Sequence, residues 1–222
     1  DEIKLYSQRM KKLEPERLNN GYITEGLSAL AKKNYTKANE NFQSALKFDP
    51  QNSTLHSLNA LTHQLRGEAG DQEQFKLAEV GYNLASRMDP GDSKIPYFKG
   101  ILFYKQQQYR SAQRSFSKAV ALDPKNENYL IGLAASSYYL GELDRAYMSI
   151  ERALSFKPLN KAALKSSGVI YAALGNFEKA EESSKKLGKL NETGKKYVDK
   201  RISEWRDYYS NQTIGSDPII KA

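Results

Sequence analysis

The stretch YFKGILFYKQQQYRSAQRSFSKAVALDP, residues 97–124, decides the fold. Its order of residue sizes is that of two short helices folded against each other. Small residues at Gly100 and Ala112 sit where the two helices cross and let the backbones approach closely. Tyr97, Phe103 and Phe116 are large and fill the space beside that contact. The segment ends on Asp123-Pro124, and a residue before proline is pushed out of the α region, so the second helix stops there.

The same order recurs along the chain. Prolines fall at Pro50, Pro90, Pro124 and Pro158, at intervals of 40, 34 and 34. Alanines fall at Ala38, Ala78, Ala112, Ala146 and Ala180, at intervals of 40, 34, 34 and 34. Small residues at Gly26, Ala60, Gly100, Ala134 and Gly168 give 34, 40, 34 and 34. Three series share one period and one irregularity, which marks an array of repeats. Small residue to following alanine is 12 residues in four copies but 18 from Ala60 to Ala78. Six extra residues therefore lie within GEAGDQEQF, 67–75, either enlarging a turn or lengthening a helix.

The period and the small–alanine–aromatic–alanine–proline order resemble the tetratricopeptide repeat. The best copy is Tyr97, Gly100, Phe103, Tyr109, Ala112, Phe116, Ala119, Pro124. The resemblance covers about residues 19–194, with a fifth copy that has Ser184 at a usually apolar position and no proline near Glu192. It implies an all-α fold, a right-handed α-solenoid of about five helical hairpins with terminal capping helices. The repeats are expected at 19–52, 53–92 (with the insertion at 67–75), 93–126, 127–160 and 161–194. Asn52, Asp92, Asn126 and Asn160, just after the helix-ending positions, suit turns and helix caps. A capping helix is expected over 1–18, with Pro15 near the start of the next helix. A second is expected over 195–210, where Val198, Ile202, Trp205 and Tyr209 form an amphipathic stripe. Residues 211–222 read as an irregular tail.

Composition narrows the chemistry. There are no cysteines, which excludes a disulfide framework, a cysteine zinc site and a cysteine nucleophile. The net charge of +8 would suit an acidic partner, but basic residues alternate with acidic ones and form no long run. No stretch is apolar enough to span a membrane. His56 and His63, seven residues apart on one helix face, read as packing residues rather than metal ligands. No nucleophile constellation or glycine-rich phosphate loop is present, so no enzyme activity, metal or cofactor is expected.

In the proteins this chain resembles, ligands lie along a concave groove lined by the first helix of each hairpin. The matching positions are Asn20 and Ile23; Lys94, Tyr97, Ile101, Tyr104 and Lys105; Asn128, Ile131, Tyr138 and Tyr139; and Lys165. Such a lining suits an extended peptide, with amides reading its backbone and rings taking its side chains. The alternative is that Tyr138 and Tyr139 pack between adjacent hairpins. Co-chaperones of this family grip acidic C-terminal tails through a clamp of Lys, Asn and Arg. The clamp positions here hold Ile23, Leu27, Leu58, Lys94 and Phe98, so only Lys94 fits.

The expected function is a non-catalytic scaffold that binds a peptide segment or another protein, with no small-molecule substrate. Two alternatives stand beside it: a self-associating structural array, with homo-oligomers, and a basic surface for nucleic acid or polysaccharide. The insert-bearing repeat, GDQEQFKLAEVGYNLASRMDP, is similar to segments of bacterial envelope and secretion proteins of the secretin type. That resemblance implies a periplasmic or envelope setting, which cysteine-free composition suits. A cytoplasmic setting is the alternative.

Overall fold

A computed structural model of the chain describes residues 2–211, with side chains from residue 16 onward. Among them run α1 (Glu2–Ala31), α2 (Tyr35–Phe48), α3 (Ser53–Glu68), α4 (Gln74–Met88), α5 (Lys94–Lys105), α6 (Tyr109–Leu122), α7 (Glu127–Tyr139), α8 (Leu143–Phe156), α9 (Lys161–Ala173), α10 (Phe177–Gly188) and α11 (Glu192–Asn211). The described residues contain no strand. The fold is an all-α solenoid of helical hairpins, and the chain divides into two compact units, Asp1–Leu102 and Phe103–Ala222.

The periodic residues do the packing expected of them. Ala38, Ala78, Ala112, Ala146 and Ala180 are all fully buried. In the first hairpin a Cβ on Gly26 would lie 2.6 Å from the Phe42 ring, so only glycine admits that approach. Unit one has two small cores, one around Ala29, Phe42 and Leu55, the other around Ala60, Tyr82, Ile95 and Leu102. Unit two has a larger core that runs from Leu130 through Ile150 and Ile170 to Trp205.

Turn chemistry fixes the hairpin ends. The side chains of Asn52, Asn126 and Asn160 accept from backbone N–H groups of Leu55, Asn128 and Ala162, and Asp92 accepts from Lys94. Each satisfies a donor that the first helical turn leaves without a partner. Within hairpins, the second residue before the next helix is left-handed: Lys33, Gln107, Gly141 and Gly175, with φ of 59, 58, 73 and 75°. Glycine takes that conformation freely, whereas a side chain there costs about 1 kcal/mol.

The insertion is shared out rather than looped out. Compared with the fourth repeat, α3 has 16 residues against 13, its turn (69–73) has five against three, and α4 has 15 against 14. The added helix carries Gly67 under Phe75, where a Cβ would come within 2.6 Å of the ring. Arg66 and Gln74 both reach Asp71, which ties the longer turn down.

Several expectations need correction. Residues 2–31 form one helix of 30 residues, not a capping helix followed by a second start at Pro15. Proline forfeits one backbone donor there, but Leu13, Glu14, Glu16, Arg17 and Leu18 around it favour helix and offer no turn chemistry. The histidines, expected to pack, do so through polar contacts. His63 is buried with Nε2 3.0 Å from the Asn39 amide nitrogen and Nδ1 2.7 Å from Gln74 Oε1. An amide nitrogen only donates, so Nε2 accepts and Nδ1 carries the proton. The half-exposed His56 donates from Nε2 to the Pro50 carbonyl at 2.9 Å.

At the other end α11 packs on α9 and α10, with Val198, Ile202 and Trp205 buried. Ser184, the odd residue of the fifth repeat, is explained by it. Its buried hydroxyl donates to Asp199 on α11, a bond that an apolar residue could not make. Asn191 starts α11 by accepting from Gly194 N–H at 3.0 Å, one residue before the place of the missing proline. Asn211 closes α11, and the rest of the expected tail lies outside the described residues.

Candidate functional site

Unit two holds an open cleft of about 180 Å³ on the side formed by the first helices of its hairpins. Tyr104 comes from the end of α5, Ala135, Tyr138 and Tyr139 from α7, and Lys165, Ser166, Val169 and Ile170 from α9. Tyr197 of α11 closes the far wall. The repeat explains the convergence, because Tyr104 and Tyr138 are 34 residues apart and occupy equivalent places.

The rings brace one another. Tyr139 stacks on Tyr109 at 4.5 Å between centroids and 9° between planes, and Tyr104 meets Tyr139 edge-on at 5.8 Å. Such contacts add stability beyond buried area and fix the ring orientations. Tyr138 presents only its ring. It is 4% exposed, and its hydroxyl accepts from Arg201 at 2.8 Å and from Trp205 at 3.4 Å. The packing alternative therefore holds for the Tyr138 hydroxyl, while Tyr139 stays half-buried at the cleft surface.

The electrostatics are those of a donor-rich cleft with one cation. Burial, then the neighbouring Tyr139, pushes the Tyr104 phenol well above its ordinary range. Burial, again followed by Tyr139, raises Tyr197. Both hydroxyls therefore keep their protons at physiological pH and can donate. Lys165 is the only charged side chain on the lining, and its ammonium sits 4.2 Å above the centre of the Tyr197 ring. Ala135, Val169 and Ile170 supply an apolar floor, which suits an extended chain with an apolar side chain at this point.

Of the groove positions expected from sequence, the structure brings Tyr104, Tyr138, Tyr139 and Lys165 together. Lys105 and Asn128 are exposed elsewhere, and Ile131 packs on the core of unit two. In unit one Asn20 and Lys94 are exposed, Ile23 packs on the first core, and Tyr97 lies against Phe98 at 5.7 Å. Sequence reasoning missed Tyr197. The signal was a second stripe on α11, one residue before the apolar one: Tyr197, Arg201, Glu204 and Tyr208. Among the described residues no group of three or more His, Asp or Glu could hold a metal ion, and no helix is long and apolar enough to cross a membrane.

Residues 99–154 match the family model of the tetratricopeptide repeat. The BBSome complex member BBS4 of Bos taurus is 29% identical over 109 residues, 49% of this chain and 21% of that protein, so the chain spans about a fifth of its length. The structure of PilF from Pseudomonas aeruginosa superposes with a TM-score of 0.69 at 16% identity, covering 94% of this chain and 98% of that one. YrrB, described as a tetratricopeptide-repeat protein with an unusual peptide-binding site, gives 0.64 at 19% identity over 88% and 97%. The structural likenesses show the fold. The family-model match and the sequence relatives support a protein–protein interaction scaffold.

Proposed function

We propose that this chain of tetratricopeptide repeats is a non-catalytic scaffold that holds an extended segment of a partner protein in the tyrosine cleft of unit two. The observation that carries the reading is the convergence of Tyr104, Tyr139, Tyr197 and Lys165 around an apolar floor. Phenols that stay protonated donate to backbone carbonyls of an extended chain, and rigid aromatic walls hold a side chain at low entropic cost. The cleft contains no acid–base pair, since Lys165 is its single charged group. Peptide binding in YrrB is a precedent for this kind of ligand on this fold.

Selection from a random peptide library, followed by binding measurements, tests the cleft. Tyr197→Ala or Lys165→Glu should weaken selected peptides about 10-fold or more, as expected for one aromatic or charged anchor. Both side chains are exposed, so helix content should stay as in the unchanged protein. Equal affinity in both variants would remove the cleft as the site.

For the setting, we infer a bacterial cell envelope. A chain without cysteine suits an oxidising compartment, and the resemblance noted for the insert-bearing repeat implies the same setting. Fractionation of cells producing the native protein decides this: recovery with the cytosol overturns it.

A further inference from the structure

The outward face of α4 differs from that of every other second helix. Aligned on the buried alanines, Leu77, Val80 and Leu84 take places that are polar elsewhere. The same places hold Lys37 and Glu40 in α2, Arg114 and Lys118 in α6, and Lys179 and Glu182 in α10. α8 has one apolar residue, Met148, between Arg145 and Arg152. Leu77 is 50% and Val80 55% exposed, and Leu84 is half-buried beside them. The three lie within an arc of about 60°, given 3.6 residues per turn. Met88 is not counted, because Phe48, Leu122 and Phe156 hold its place in other repeats with similar exposure.

Two charges bracket this stripe on the same face. Glu73 stands seven residues before Val80 and Arg87 seven after it, so each lies about 10 Å from Val80 along the axis. Among the described residues the Glu73 carboxylate meets only Lys76, 3.0 Å away with both side chains about four-fifths exposed. Such a surface pair holds weakly and can be exchanged. The exposed Arg87 has no acidic partner among the described residues.

We infer that the α4 face docks a second copy of this chain, with the two α4 helices antiparallel about a two-fold axis at Val80. In that register Leu77 of one copy falls within about one residue's rise of Leu84 of the other, and Glu73 of each meets Arg87 of the other at both ends. A parallel arrangement would set Glu73 against Glu73 and Arg87 against Arg87, so charge selects the antiparallel one. An isologous contact needs such a self-complementary patch. The patch is small, so the dimer is weak and forms at high micromolar concentration.

Sedimentation equilibrium from about 10 μM to 1 mM tests this, over the range where contacts of this size associate. Concentration-dependent dimers are expected, lost in Val80→Asp with helix content unchanged. Arg87→Glu alone and Glu73→Arg alone should each weaken the dimer, and the two together should restore it. Because the chain has no cysteine, Val80→Cys gives a clean second readout. It should form an intermolecular disulfide faster than Met148→Cys, a control that is 63% exposed. A monomer at 1 mM, equal cross-linking of the two cysteine variants, or a double charge swap that fails to restore association would overturn the proposal. So would docking of a different protein on α4 while this chain stays monomeric.

Discussion

Gly168→Ala should lower the free energy of unfolding by about 2 kcal/mol and loosen α11 before the rest of unit two, although it adds one methyl group. A Cβ at residue 168 would lie 2.4 Å from Val198 Cγ1, closer than packed carbons come. Val198 is fully buried and β-branched, so it has no second rotamer into which to retreat, and the whole of α11 must shift. Val198→Ala removes the obstructing methyl groups and by itself leaves a cavity, at a cost of similar size. The double variant should then be less damaged than the two single effects added together, with a coupling of about 1 kcal/mol or more. Urea unfolding followed by circular dichroism and by fluorescence measures both quantities. The only tryptophan, Trp205, is on α11, so its emission reports on the cap. Additive single effects would show that Gly168 does not act through Val198.

That contact also shows what sequence could give. The position of Gly168 was readable because it falls in a series with Gly26 and Gly100, and a period of 34 residues carries its own check. Helix ends were readable for the same reason, since Asn126 and Asn160 repeat a cap whose chemistry is local. Pro15 misled because its effect depends on how strongly its neighbours hold a helix, and no repeat marks that. The insertion resisted assignment because extending α3 and enlarging its turn give one and the same spacing from Ala60 to Ala78.

The cleft was legible in part. Tyr104, Tyr139 and Lys165 lie on first helices, where alignment of repeats finds them. Tyr197 belongs to α11, which has no counterpart in the other repeats, so its place follows only from tertiary packing. The burial of the Tyr138 hydroxyl could not be seen either, because its partners Arg201 and Trp205 are more than 60 residues away.

Trp205→Ala is expected to cost about 3–5 kcal/mol and to abolish peptide binding at the cleft, although Trp205 does not line it. The indole is 3% exposed, touches Tyr208 edge-on at 5.4 Å, and donates to the Tyr138 hydroxyl. Removing it opens a cavity of aromatic size under α11 and takes away one of two donors on that hydroxyl. Tyr197 reaches the cleft from α11, so its wall is lost when the helix lifts. Trp205→Phe keeps most of the volume and should cost less, about 1–2 kcal/mol, with binding largely retained. Tyr138→Phe separates the polar contribution from the packing one. It deletes the acceptor for Arg201 and Trp205 while leaving the ring, and should cost about 1–3 kcal/mol. Calorimetric titration with a selected peptide, run beside the unfolding measurements, decides between two roles for the cap. If Trp205→Ala destabilised the fold by the expected amount yet bound peptide normally, α11 would be a lid on the core and no part of the site. If binding fell with stability across Trp205→Ala and Trp205→Phe, the helix that ends the array would also shape the surface on which a partner is held.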